Sequence, residues 1–195
     1  MERKEWITNR LSRHTAVVEQ IRNNSDLLEQ IEKAAEMITE AFASGHCLWL
    51  CGNGGSAADA QHLAAEFSGK FYLDRKALHA EALHCNTSYI TAVANDYSYD
   101  KIYARLIDGV GKPGDILIGI STSGNSANII KAYEVCGSKG ICTISLTGAS
   151  GGALKELSDI LINIPSIDTP RIQEAHILIG HIICEMVEAA LFSEK

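Results

Sequence analysis

The sequence predicts an α/β fold: a parallel sheet covered on both sides by helices and preceded by two N-terminal helices. Two observations carry this. After Gly45, short apolar runs alternate with helix-length segments, which is the rhythm of βαβ units. The runs are apolar on both faces instead of alternating, as suits strands buried between two helical layers. With 195 residues and no linker, repeat or low-complexity tract, a single domain over residues 1–195 is expected, with 1–44 as the N-terminal helices and 45–195 as the core.

The elements follow in order. Ile7, Leu11, Val17, Val18 and Ile21, then Leu27, Leu28, Ile31, Ala34, Ala35, Ile38 and Phe42, recur at helical spacing. Asn24 and Ser25 break the register and supply an N-cap, the second helix runs from Leu28 to Ala43, and Gly45 closes it. His46–Cys51 reads as a strand, Ser56–Ser68 as a helix, and His79–His84 as a weaker strand leading to a helix capped by Thr87. Ile116–Ile120 is the clearest strand; Asn128–Ser138 is helical, Ile141–Leu146 a strand, Leu154–Leu157 a short helix, Ile160–Ile164 a strand, and Thr169–Leu191 a long final helix.

Composition narrows the function. A hydrophobic share of 46% with 21% charged residues predicts a folded globular protein. The net charge of −7 and a pI near 5.5 argue against a sequence-independent grip on nucleic acid, which needs clustered cations. The opening MERKEWITNR is too charged for a signal peptide, and apolar runs such as Ile116–Ile120 are far short of a membrane span, so a cytoplasmic protein without membrane attachment is expected. Six scattered cysteines without a C-x-x-C pair read as reduced, mostly buried side chains.

Ligands of open parallel sheets bind at the carboxyl ends of the strands. Three such ends are rich in small and hydroxyl residues: Gly52-Asn53-Gly54-Gly55-Ser56, Ser121-Thr122-Ser123-Gly124-Asn125-Ser126, and Leu146-Thr147-Gly148-Ala149-Ser150-Gly151-Gly152. Glycine permits close backbone approach, and hydroxyls with helix-start N–H groups hold phosphate oxygens. None is a Walker loop or a complete G-x-G-x-x-G, which weakens nucleotide readings. On the helix leaving the first loop, His62 and Glu66 stand four residues apart and share a face, a spacing that serves a solvated or core-capping pair, a metal site or acid/base catalysis. Arg171, Gln173, Glu174, His176 and His181 are polar residues on an otherwise apolar final helix, where a hydrogen-bonded core histidine is the ordinary outcome.

The segments CGNGGSAADAQHLAAEF, Asn95-Asp96, STSGNS and PRIQEAHILIGHIICE together resemble the phosphoheptose isomerase family, single-domain members of the sugar isomerase (SIS) fold, over nearly the whole chain. The resemblance implies a three-layer αβα sandwich with a five-stranded parallel sheet, a homotetramer, one zinc per subunit, and conversion of sedoheptulose 7-phosphate to D-glycero-D-manno-heptose 7-phosphate, which feeds the heptose of the lipopolysaccharide core. Carried over by position, it implies that Asn53, Gly54, Gly55 and Ser56, Asn95 and Asp96, Ser121, Thr122, Ser123 and Ser126 contact substrate, with Glu66 and Gln173. His62, Glu66, Gln173 and His181 are its implied zinc set, and Glu66 and His181 its catalytic base and acid. Aldose–ketose interconversion moves a proton between adjacent carbons through an enediol, so it needs such a pair.

Gln173 and His181 are eight residues apart, about 12 Å along a helix and roughly 80° around it. Either the helix starts late or bends, or the two reach one site from different subunits; the shared site is the preferred expectation, since a tetramer would bury the apolar faces of the terminal helices. The alternative is a non-enzymatic SIS-fold tetramer that binds a protein partner, as replication-initiator-associating relatives do. Glu66 discriminates, because some of those relatives lack it.

Overall fold

The computed structural model describes residues 2–193. Helices α1 (Arg3–Arg22) and α2 (Ser25–Ala43) precede a five-stranded parallel sheet. The rest runs β1 (Leu48–Gly52), α3 (Gly55–Ser68), β2 (Ala80–Ala82), α4 (Thr87–Asp96), α5 (Ile102–Val110), β3 (Ile116–Ser121), α6 (Ala127–Lys139), β4 (Cys142–Thr147), β5 (Ile160–Asn163) and α7 (Thr169–Phe192). The strand order β2-β1-β3-β4-β5 makes a doubly wound sheet. The chain leaves β1 toward one edge and returns to β3 on its other side, so the carboxyl ends of β1 and β3 flank the switch point where such sheets bind ligands.

The pleat of β1 divides the core. Leu48 and Leu50 join Ile116, Ile118, Ile144 and Ile162 beneath α2, α3 and α7. Trp49 and Cys51 face the other way, with Leu117, toward α4, α5 and α6 through Ile102, Tyr103, Ile107 and Ile129. This is the expected three-layer sandwich. Both N-terminal helices contribute to the first cluster, through Val17 and Ile21 and through Leu27, Ile31 and Ile38.

The differences from the sequence reading are local. α2 begins at Ser25, three residues before the expected start, because Asn24 accepts the Leu27 N–H at 3.1 Å. The weak strand shrinks to three residues, and α4 is capped by Asn86, not Thr87: the Tyr89 N–H donates to Asn86 Oδ1 at 3.0 Å. Helix α5 was not foreseen, although it buries Ile102, Tyr103 and Ile107. Contrary to the expectation from apolar runs, α7 is long and apolar enough to span a membrane. It is instead a core helix, burying Ile172, Ala175, Ile179, Ile183 and Val187. The six cysteines are free, with only Cys85 exposed.

Candidate active site

β1 and β3 are hydrogen-bonded neighbours, with Gly52 paired to Ile120, so the loops that follow them open side by side. Gly54 adopts a φ of +57° to turn the chain into α3. Gly55 lies against α7: a Cβ there would stand 2.9 Å from Gln173 Nε2, so a larger residue would displace that amide. Ser56 faces inward and is buried. Behind the turn, buried Tyr103 donates its hydroxyl to Gly52 O.

The β3 loop gathers hydroxyls at the start of α6. Ser121 Oγ lies 2.9 Å from Ser126 Oγ and 3.5 Å from Ser123 Oγ, and Thr122 is half-buried beside them. Hydroxyls at a helix N-terminus make an anion cradle of the kind expected for phosphate. The third glycine-rich loop, read from sequence as another ligand loop, packs behind this one. Gly148 N–H donates to Thr122 O at 3.0 Å, Leu154 N–H donates to Gly124 O at 3.0 Å, and a Cβ on Gly124 would meet Gly151 O at 2.0 Å. Its glycines let two backbones touch. Together the two loops border a cavity of about 330 Å³ that also reaches Ser166, Thr169 and Ile172.

α3 and α7 lie parallel and in close contact. Gln173 stands by Gly55, Gly180 by Leu63, His181 by His62, and Glu188 accepts the Phe71 N–H. This pairing brings three of the four residues in the implied zinc set together. His62 Nε2 lies 2.9 Å from His181 Nε2 and 3.4 Å from Glu66 Oε1, and all three donor atoms fall within 4.8 Å of one another. Two imidazole nitrogens and a carboxylate converging on one point suit a divalent transition metal, Zn²⁺ in particular. Asp59, a turn before His62, is partly buried; burial raises its pKa, against the lowering influence of His62 and His181. Phe71 covers His181 with ring centroids 5.7 Å apart.

Gln173 does not join this group within the protomer. α7 is unbroken from Thr169, so neither a late start nor a bend delivers it, and its amide lies against Gly55, two turns, about 10 Å, along α3 from His62. Asn95 donates to Asp96 Oδ1 at 2.9 Å; both are exposed at the end of α4, shortly before Tyr99. Sequence reasoning missed four contributors. Tyr99 and Asn128 both hydrogen-bond Asn53, and Arg75 and Glu188 hold the segment after α3. Only Glu188 carried a sequence signal, a charge on an otherwise apolar helix; Tyr99, Asn128 and Arg75 lie in stretches already rich in polar residues. His176, the ordinary core histidine, is fully buried with Nε2 3.1 Å from Thr147 O, and burial lowers its pKa to about 4. His14 pairs with Glu174 at 2.8 Å, tying α1 to α7.

A doubly wound parallel sheet with hydroxyl-rich loops at its switch point defines a ligand-binding class of α/β protein, and the SIS domain family matches residues 11–148. The chain belongs to that family. It is 50% identical over 192 residues to the phosphoheptose isomerase of Clostridium acetobutylicum, covering 98% of each chain. It is 53% identical over 178 residues to phosphoheptose isomerase 2 of Campylobacter jejuni, covering 91% of this chain and 89% of that one. The solved phosphoheptose isomerase of Neisseria gonorrhoeae superposes with a TM-score of 0.90 at 37% identity, covering 95% of this chain and 98% of that chain.

Proposed function

We propose that this protein is a sugar-phosphate isomerase that converts sedoheptulose 7-phosphate to D-glycero-D-manno-heptose 7-phosphate. The observation that carries the reading is the meeting of Glu66 and His181, from helices far apart in the chain, within one cluster. The isomerase relatives at about 50% identity support the substrate class.

In this reading Ser121, Thr122, Ser123 and Ser126 hold the phosphate, and Asn53, Gly54, Gly55, Asn95 and Asp96 orient the sugar. Glu66 removes the carbon-bound proton next to the carbonyl and returns it to the neighbouring carbon; His181 passes the proton between the two oxygens. Zn²⁺ bound by His62, Glu66 and His181 would supply Lewis-acid polarisation of the substrate carbonyl. Gln173 reaches the cluster of a neighbouring subunit in a homotetramer. The exposed apolar residues Trp6, Ile7 and Leu11 of α1 support such an assembly. The protein-binding alternative is not favoured, since Glu66 is present and seated against His62.

Incubation with sedoheptulose 7-phosphate, with the aldose product measured directly, tests the reading. Glu66→Gln is expected to lower kcat by about a hundredfold or more and His181→Ala comparably; full turnover by Glu66→Gln removes the mechanism. Mixed assemblies of Gln173→Ala and His181→Ala chains should regain activity, and no recovery at any ratio overturns the shared site. Dialysis against a chelator should abolish turnover and one equivalent of Zn²⁺ per chain restore it.

A further inference from the structure

Asn53 sits at the β1 end of the crevice with its amide held from two sides. Its Nδ2 donates to Asn128 Oδ1 at 3.0 Å, and its Oδ1 accepts from Asn128 Nδ2 at 2.9 Å and from the Tyr99 hydroxyl at 2.9 Å. The sense of these bonds is dictated by a group that cannot rotate. The Ile129 backbone N–H donates to Asn128 Oδ1 at 3.0 Å, so that atom must be oxygen, the facing atom of Asn53 must be nitrogen, and the Asn53 oxygen must take the remaining bonds.

An amide oxygen has two lone pairs and an amide nitrogen two hydrogens. Both lone pairs of Asn53 are engaged, by Asn128 and Tyr99. One of its hydrogens is engaged, and among the described residues the other has no acceptor. We infer that Tyr99 and Asn128 are positioning residues that make Asn53 a one-way donor, so that it reads an acceptor oxygen of the sugar phosphate and presents no carbonyl to it. This deepens the isomerase reading and rests on it for the identity of the ligand. Asn128 is buried, whereas Tyr99 is 52% exposed and reaches over the turn from the segment between α4 and α5. The Tyr99 hydroxyl is therefore the part that can be removed without opening a hole in the core.

The test is a double-mutant cycle of Tyr99→Phe and Asn53→Ala, read as kcat/KM and as the calorimetric dissociation constant for sedoheptulose 7-phosphate, with Tm recorded for each variant. Tyr99→Phe alone should lose about threefold to tenfold in both quantities, the worth of one hydrogen bond, with Tm unchanged. In the Asn53→Ala background it should lose nothing further. Asn53→Asp, which keeps the shape and replaces the donor by an acceptor, should lose at least as much as Asn53→Ala. An equal loss from Tyr99→Phe in both backgrounds, or none in the wild-type background, overturns the inference while leaving the isomerase intact. Binding with the predicted coupling but without turnover overturns the isomerase reading and upholds the inference. A wild-type protein that neither binds nor converts the sugar overturns both.

Discussion

Arg75 and Glu188 form an ion pair, Nε to Oε1 at 2.8 Å, with both side chains about 3% exposed. Burial opposes ionisation of Glu188, but the N–H groups of Leu73, Tyr72 and Phe71 and the Arg75 guanidinium together hold its pKa below the ordinary value. Arg75 also donates to Phe67 O at 2.8 Å and to Glu66 O at 3.0 Å. One charged pair thus joins α7, the segment after α3, and the backbone of the proposed base.

Removing one partner of such a pair leaves an uncompensated buried charge. Glu188→Gln is expected to destabilise the fold by about 3 kcal/mol, measured by urea unfolding, and to lower kcat as Arg75, no longer paired with Glu188, loosens its hold on Glu66 O. A change confined to KM would count against that link.

Gly180 faces Leu63 where α3 and α7 touch, and a Cβ there would lie 2.6 Å from Leu63 Cδ1. Gly180→Ala should cost about 1–3 kcal/mol by overpacking. Because His62 and His181 adjoin this contact, activity should fall with stability. Adding Leu63→Ala makes room, so the double variant should be more stable than the sum of the two single effects. Strict additivity would show that the helices are not held apart at this point.

Gly119 in β3 is crossed by the Tyr133 hydroxyl, which accepts the Gly119 N–H at 3.0 Å and donates to Ile144 O at 2.7 Å. A Cβ at Gly119 would come 2.6 Å from that hydroxyl. Gly119→Ala should therefore lower Tm by several degrees, the effect of about 1–2 kcal/mol in a domain of this size. The loss should be smaller when Gly119→Ala is introduced into the Tyr133→Phe protein, where the colliding oxygen is gone.

Burial lowers the His176 pKa from 6.5 to about 4, outweighing its bond to Thr147 O, which acts the other way. Between those values the unfolded chain binds the proton more readily than the folded one. Stability from this residue is complete above pH 6.5 and falls as the pH drops toward 4, by about 3 kcal/mol in all. His176→Gln, which keeps a donor for Thr147 O, should flatten the dependence of the urea midpoint on pH across this window. An unchanged slope would assign the acid sensitivity to other groups.

Much of the fold was legible because β1 and β3 are largely apolar runs and helix-length segments separate the strands. The short β2 was blurred, since three residues with an exposed Glu81 make little pattern. The loops of the site announced themselves by glycine and hydroxyl content, and His62 and Glu66 by their four-residue spacing. That content did not separate the loop at Ser121–Ser126, proposed to hold the phosphate, from the loop at Thr147–Gly152 that packs against it. Both need small residues, one to admit a ligand and the other to admit a neighbouring backbone.

The sequence by itself determined the layer order, the segments that become strands and the chemistry available at their ends, because these follow from local periodicity and backbone preference. Only the tertiary structure decided that His181 lies on His62, that Gln173 stops at Gly55, and that Tyr99 and Asn128 aim Asn53. Each of these depends on how α3 and α7, or β1 and α6, register against one another. Such register arises from packing between segments remote in the chain, which leaves no periodic trace along it.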